Sequence, residues 1–186
     1  MAGSRGPSMA TRTSPVGPGR QLPSLDGPRL RAELADRAHA VELQACLEGA
    51  PDYWLLTEGR LPEPDAALRL IEDAEADESR QVFCLVPHAG GPAVGVLDLY
   101  LHHPEPGVAH VALLLFRESC QGIGYGEETV AALEHVLQRA GFTALRASVG
   151  DENPGAQAFW DRVGFARIGR LDGGVAVYER LLVDVR

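Results

Sequence analysis

The run Gln121-Gly122-Ile123-Gly124-Tyr125-Gly126 separates an apolar stretch, Val108 to Phe116, from an amphipathic one, Gly126 to Ala140. Glycines at that density let a backbone turn sharply and come close to a ligand. The amides of such a loop and of the following helical turn converge on one concavity. There they meet the positive end of the helix dipole, which makes an anion site without a lysine. A diphosphate fits that geometry, although a plain tight turn explains the glycines equally well. Two nucleotide-binding folds are excluded. A P-loop ends in Gly-Lys-Ser/Thr, and this run ends in Gly126-Glu127-Glu128. A dinucleotide fingerprint needs a third glycine where Glu127 stands, and it follows the first strand of a βαβ unit rather than a run of strands.

The elements around the loop are legible. Residues 1–28 are rich in Gly, Pro, Ser, Thr and Arg, and are expected to form a disordered tail, with one domain from 29 to 186. Arg29 to Ala35 reads as a strand, Asp36 to Glu48 as a helix capped by Asp36, and Ala50 to Pro64 as a loop. Asp65 to Ala76 carries Ala66, Leu70, Ile71 and Ala74 on one helical face. Gln81 to Pro87, Ala93 to Leu101 and Val108 to Phe116 are strands separated by Gly/Pro turns, an antiparallel meander. Gly126 to Ala140 is a helix with Val130, Leu133, Val136 and Leu137 in phase, stopped by Gly141. Leu145 to Val149 is a strand. Pro154 to Val163 is a helix with Asn153 as its cap. Phe165 to Arg170 and Val175 to Leu182 are strands joined by the hairpin Leu171-Asp172-Gly173-Gly174. The order β-α-α-β-β-β-α-β-α-β-β predicts a mixed α/β sheet with helices on its faces.

Composition narrows the function. A net charge of -9 lacks the basic footprint of a nucleic-acid binder, disfavours anionic membranes and weakly favours a cationic substrate. No apolar run reaches the roughly 20 residues of a membrane span, and no secretory signal is visible. Cys46, Cys84 and Cys120 stand at unrelated spacings, which argues against disulfides or a metal site and fits a cytoplasmic protein.

The stretch Asn153-Pro154-Gly155-Ala156-Gln157-Ala158-Phe159-Trp160-Asp161-Arg162-Val163-Gly164-Phe165 is the second unusual feature. Together with the glycine run it resembles the GNAT N-acetyltransferase superfamily. Gln121, Gly124 and Gly126 fit that family's Gln/Arg-x-x-Gly-x-Gly/Ala motif. Asn153, Ala156, Phe159, Gly164 and Phe165 fit its later motif. The resemblance covers roughly Arg29 to Leu182. It implies a mostly antiparallel central sheet of about seven strands flanked by four helices, with the fourth and fifth strands splayed around acetyl-CoA. It also implies direct attack of an acceptor amine on the thioester, with no covalent intermediate; no metal is expected. By the same resemblance, the backbone of Leu114, Leu115 and Phe116 holds the acetyl carbonyl and pantetheine arm. Gln121, Gly122, Ile123, Gly124, Tyr125 and Gly126 hold the pyrophosphate, and Asn153, Phe159 and Trp160 line the coenzyme channel.

One departure concerns the chemistry. Many family members place a tyrosine, as acid for the leaving thiolate, where this chain has Trp160, whose indole N–H is no acid at neutral pH. A water, a residue such as Tyr125 or Tyr178, or no acid at all serves the thiolate, with Tyr178 the acid candidate. Asp98 and His110, on strands flanking the expected site, are the base candidates. Cys120 reads as packing. Tyr53 and Trp54 lie between the first two helices, where the resemblance puts the acceptor wall, and rings beside carboxylates suit a cationic amine. The expected partner is an amine-bearing small molecule or peptide, and a homodimer is common in the superfamily. The alternatives are a non-catalytic acyl-CoA sensor of the same fold and an interaction module that has lost the ligand.

Overall fold

The computed structural model describes residues 21–182. Eight strands form one sheet in the order β1-β2-β3-β4-β5-β6-β8-β7. The strands are β1 (Leu25–Asp26), β2 (Leu30–Leu34), β3 (Arg80–Pro87), β4 (Gly95–Leu101), β5 (Val108–Phe116), β6 (Ala144–Gly150), β7 (Ala166–Leu171) and β8 (Val175–Leu181). The helices are α1 (Ala40–Glu48), α2 (Pro51–Thr57), α3 (Ala66–Ala76), α4 (Tyr125–Arg139) and α5 (Pro154–Arg162). All strand pairs are antiparallel except β5 with β6.

The sheet is sandwiched. Along β3, Val82, Cys84 and Val86 pack in a cluster with Leu43, Leu47 and Ile71 of α1 and α3. Phe83 and Leu85 point the other way, into a core with Val130, Leu133 and Leu137 of α4. A strand buried on both faces needs a continuous apolar run, which is what the sequence 82–86 supplies. Helix α5 starts where Asn153 accepts a hydrogen bond from Ala156 N at 2.9 Å, with Pro154 in its first turn.

Two expectations are corrected. The tail boundary at residue 28 lies too late: Leu22 and Leu25 are buried, and Leu25–Asp26 pairs with Arg31 and Ala32. Two leucines suffice to anchor a segment whose average composition argues against order; the rest of the predicted tail, residues 1–20, lies outside the described residues. The loop Ala50 to Pro64 contains α2, started by Pro51 and pinned where Trp54 Nε1 donates to Leu47 O at 2.8 Å. Seven residues are too few for a periodic signal, and the helix forms because its ring finds a tertiary partner. These additions account for the fifth helix and the eighth strand.

Two irregularities position the cleft described below. Asp98 pairs with Leu113 and Leu99 with Val111, so Ala112 is an extra residue in β5. The parallel pairing of β5 with β6 runs only from Val108–Ala144 to Val111–Ala147. From Ala112 onward the two strands part. On the other end of the sheet, Arg80, Tyr100, His110, Arg146 and Glu179 are successive cross-strand partners. Arg80 of this row makes a bidentate pair with Asp98, two residues before Tyr100 on β4, through Nε and one Nη to the two carboxylate oxygens at 3.0 and 2.8 Å. Asp98 is only 3% exposed.

Removing the cation from such a pair strands a buried carboxylate. Arg80→Ala is therefore expected to lower unfolding free energy by about 3 kcal/mol, read from denaturant midpoints. Arg80→Met combined with Asp98→Leu should recover most of the loss.

Candidate active site

Where β5 and β6 separate, a cleft of about 590 Å³ opens. Volumes of this order are typical of small-molecule sites. One wall is β5 from Val111 to Phe116, facing Ala147 to Gly150 of β6. Val111 and Ala147 are the last paired residues, so the backbone of Ala112–Phe116 has a strand neighbour on the β4 side only. Its remaining amides and carbonyls must be satisfied by something other than a strand.

The glycine run closes one end. Gly122 and Gly124 adopt φ of 71° and 89°, and Gly124 stands directly before α4. Only glycine holds that left-handed conformation without strain, so the turn that aims the α4 amides into the cleft depends on it. Gly126 has a different task. A Cβ there would lie 2.9 Å from Phe159 Cε2, so the missing side chain lets α4 press against α5. Gln121 lines the cleft, but its Nε2 donates to Phe116 O at 2.9 Å and ties the loop to the strand end. Ile123 is half exposed and does not line the cleft; its carbonyl accepts from an Arg29 Nη at 3.0 Å.

The first turn of α4 carries Glu127 and Glu128, which by themselves would repel an anion. Both are paired. Glu128 accepts from Arg29 N, Arg29 Nε and Leu30 N. Burial raises its pKa, but these donors and the Arg29 charge together hold the carboxyl below the usual glutamate value. Glu127 meets Arg162 Nε at 2.9 Å. The Arg29 guanidinium also lies 4.7 Å over the Tyr125 ring.

Asn153, Phe159 and Trp160 line the α5 side. Trp160 is 5% exposed and edge-packed on Phe159 and Phe165, so it belongs to the core as much as to the cleft. The far wall is α2, through Asp52, Tyr53, Leu56 and Thr57, with Glu118 beside it. Glu118 Oε1 accepts from Asp52 N at 3.0 Å, which ties the start of α2 to the segment after β5. Burial raises the Tyr53 phenol above its ordinary value. Cys120 packs against the core and also lines the cleft. All three cysteines are free, and burial pushes the Cys84 thiol up to about 12.

Besides Ile123, four predicted residues fall outside the cleft. Trp54 points its indole at Leu47 O and packs with α1 and α3. Asp98 is consumed by Arg80. Tyr178 is 2% exposed, opposite Ala147, in the core with Phe165. His110 alternates with Ala109 and Val111, which face the α4 core, and sits in the polar row near His103 and Arg146. Strand parity, invisible before the register is known, decided all three strand positions. The sequence reading missed Arg29, Asp52, Glu118, Glu127 and Arg162. Arg29 is 99 residues from Glu128, and no local pattern joins them.

Among the described residues no group of three His, Cys, Asp or Glu gathers as a metal site, and no helix is long and apolar enough to cross a membrane. The family model for the acetyltransferase (GNAT) family matches residues 45–165. An acetyltransferase from Thermus thermophilus is 30% identical, with 86% of this chain and 99% of that one covered at a TM-score of 0.76. A probable GNAT-family acetyltransferase from Chromobacterium violaceum is 16% identical over 99% and 97% of the two chains, TM-score 0.76. RimL, a ribosomal L7/L12 alpha-N-protein acetyltransferase in complex with coenzyme A, is 18% identical over 88% and 100%, TM-score 0.70.

Two outcomes follow from these placements. Gly126→Ala should destabilise the protein by about 1–3 kcal/mol through overpacking on Phe159. Adding Phe159→Leu should return part of that loss in thermal melts. Burial, then the nearby charges of His103 and Arg146, lower the His110 pKa from 6.5 to about 4. Between those values the unfolded chain binds a proton that the native imidazole refuses, so stability falls as pH drops from 6.5 towards 4. His110→Gln should flatten the melting-temperature profile across that window and leave it unchanged above about pH 7.5.

Proposed function

The chain belongs to the acetyltransferase (GNAT) family, and from that premise we propose that it transfers an acetyl group from acetyl-CoA to the amine of a small molecule or peptide. The carrying observation is that the unpaired β5 edge, Ala112–Phe116, and the glycine turn before α4 open on the same cleft. An extended amide-bearing arm can complete the edge as a missing strand would. A diphosphate suits the α4 amides. RimL, which shares the fold, holds coenzyme A in its structure.

In this reading the amine nitrogen attacks the thioester carbonyl carbon directly. The oxygen gains charge as the tetrahedral centre forms, and backbone N–H groups freed by the Ala112 bulge stabilise it. The carbon–sulfur bond then breaks and the thiolate leaves. The proton lost by the amine passes to a carboxylate or an intervening water. Asp52 and Glu118 are the carboxylates on the α2 side of the cleft, and they favour an acceptor that arrives as a cation. Tyr53 presents a ring to the same end. Asn153 uses its oxygen as the α5 cap, which leaves its amide N–H groups for the pantetheine arm.

A second reading, a non-catalytic acyl-CoA sensor, is favoured by one observation. Trp160, 5% exposed and packed on Phe165, stands at the position where the family resemblance implies a tyrosine acid. One pair of measurements separates the readings. Thiol release from acetyl-CoA is followed across amines, polyamines, aminoglycosides and peptides, and coenzyme binding is followed by calorimetry. At least one amine should raise thiol release well above background hydrolysis. Tight coenzyme binding without such stimulation supports the sensor, and no binding at high micromolar coenzyme removes both readings.

A further inference from the structure

Arg162 and Glu127 both line the cleft at the end of the glycine turn, and they hold each other across the mouth at 2.9 Å. We propose that Arg162 is a phosphate-binding residue of the coenzyme, and that Glu127 holds it until the coenzyme displaces that carboxylate. The inference rests on the acetyl-CoA reading above and adds a residue and an exchange to it.

The two acidic residues of the first α4 turn behave differently. The Glu128 side chain is 7% exposed and fixed by three donors from residues 29 and 30. Glu127 is 53% exposed and its ion-pair partner is Arg162, itself 60% exposed. Only Glu127 can leave. It occupies the positive end of α4 as an anion of the protein's own, where a ligand phosphate would be stabilised by the same amides. A phosphate arriving there is repelled by Glu127 and attracted by Arg162, so the ligand and the carboxylate compete for one guanidinium. The exchange is favourable in sign. An exposed ion pair contributes little, whereas a guanidinium fork on a phosphate forms two charge-assisted bonds. The guanidinium is already on the cleft wall, 5.6 Å over the Phe159 ring.

Calorimetry with CoA and with 3′-dephospho-CoA on the full chain tests this in wild type, Arg162→Ala and Glu127→Gln. Arg162→Ala should weaken CoA binding about tenfold, the equivalent of one charge-assisted bond. Glu127→Gln should move affinity the opposite way, to tighter binding, because the competitor is gone. A role that was merely structural would move both variants in the same direction. Loss confined to CoA assigns the contact to the 3′-phosphate; equal loss for both forms assigns it to the diphosphate. Unchanged CoA affinity in Arg162→Ala, or unchanged or weaker affinity in Glu127→Gln, overturns this proposal and leaves the donor reading standing. A wild-type chain that binds neither form overturns both together.

Discussion

The separation of β5 from β6 is the constraint on which the rest of the molecule depends. A parallel pair four residues long is held by backbone bonds at one end and opens at the other. The extra residue Ala112 sits at the fork. Bulges bend and twist the strand that carries them, so the strands diverge there while β4 and β8 keep their outer sides paired. The unsatisfied edge so created is costly unless water or a ligand completes it. Helices α2, α4 and α5 surround the gap, and each brings a different chemistry. Helix α4 offers amides, α5 offers aromatic packing and a cap, and α2 brings Asp52 and Tyr53.

Electrostatics at the glycine turn repeat this division of labour. Two glutamates at a helix start suit an empty helix and oppose an anionic ligand. Arginines from opposite directions answer them: Arg29 ahead of β2 and Arg162 at the end of α5. The Arg29 side chain also grips Ile123 O and the Tyr125 ring, so the turn is held from outside by a residue that never enters the cleft. The turn is preorganised by contacts rather than by its glycines alone, which only make the required φ values accessible.

Most elements could be read from the sequence because their signals are local. Alternation, caps and stops placed β3, β4, β5, α4 and α5 close to their observed ends, and the glycine turn and the Asn153 cap stand where expected. The failures share a physical origin. Strand β1 and helix α2 are too short to show a period, and they exist because Leu25 and Trp54 find partners outside their own segments. Asp98, His110 and Tyr178 were chosen by proximity along strands. Which face each takes follows from register, and the bulge at Ala112 resets that register within β5. Asp52 and Glu118 carried no motif, because a carboxylate beside a cleft looks like any surface carboxylate until the cleft is known.

The two outermost strands have a consequence for life at high concentration. A sheet edge is a row of unpaired backbone groups that a neighbouring chain can extend. Strand β1 is two residues long and gives almost nothing to extend. Strand β7 is exposed along its whole length and carries Ile168 and Leu171, a combination that invites recruitment. Its register breaks between Arg167 and Gly169, and Arg167 and Arg170 place charges on the same six residues. Among the described residues neither border presents a straight, uncharged template, so the sheet guards against templated aggregation at its margins and opens in its interior instead.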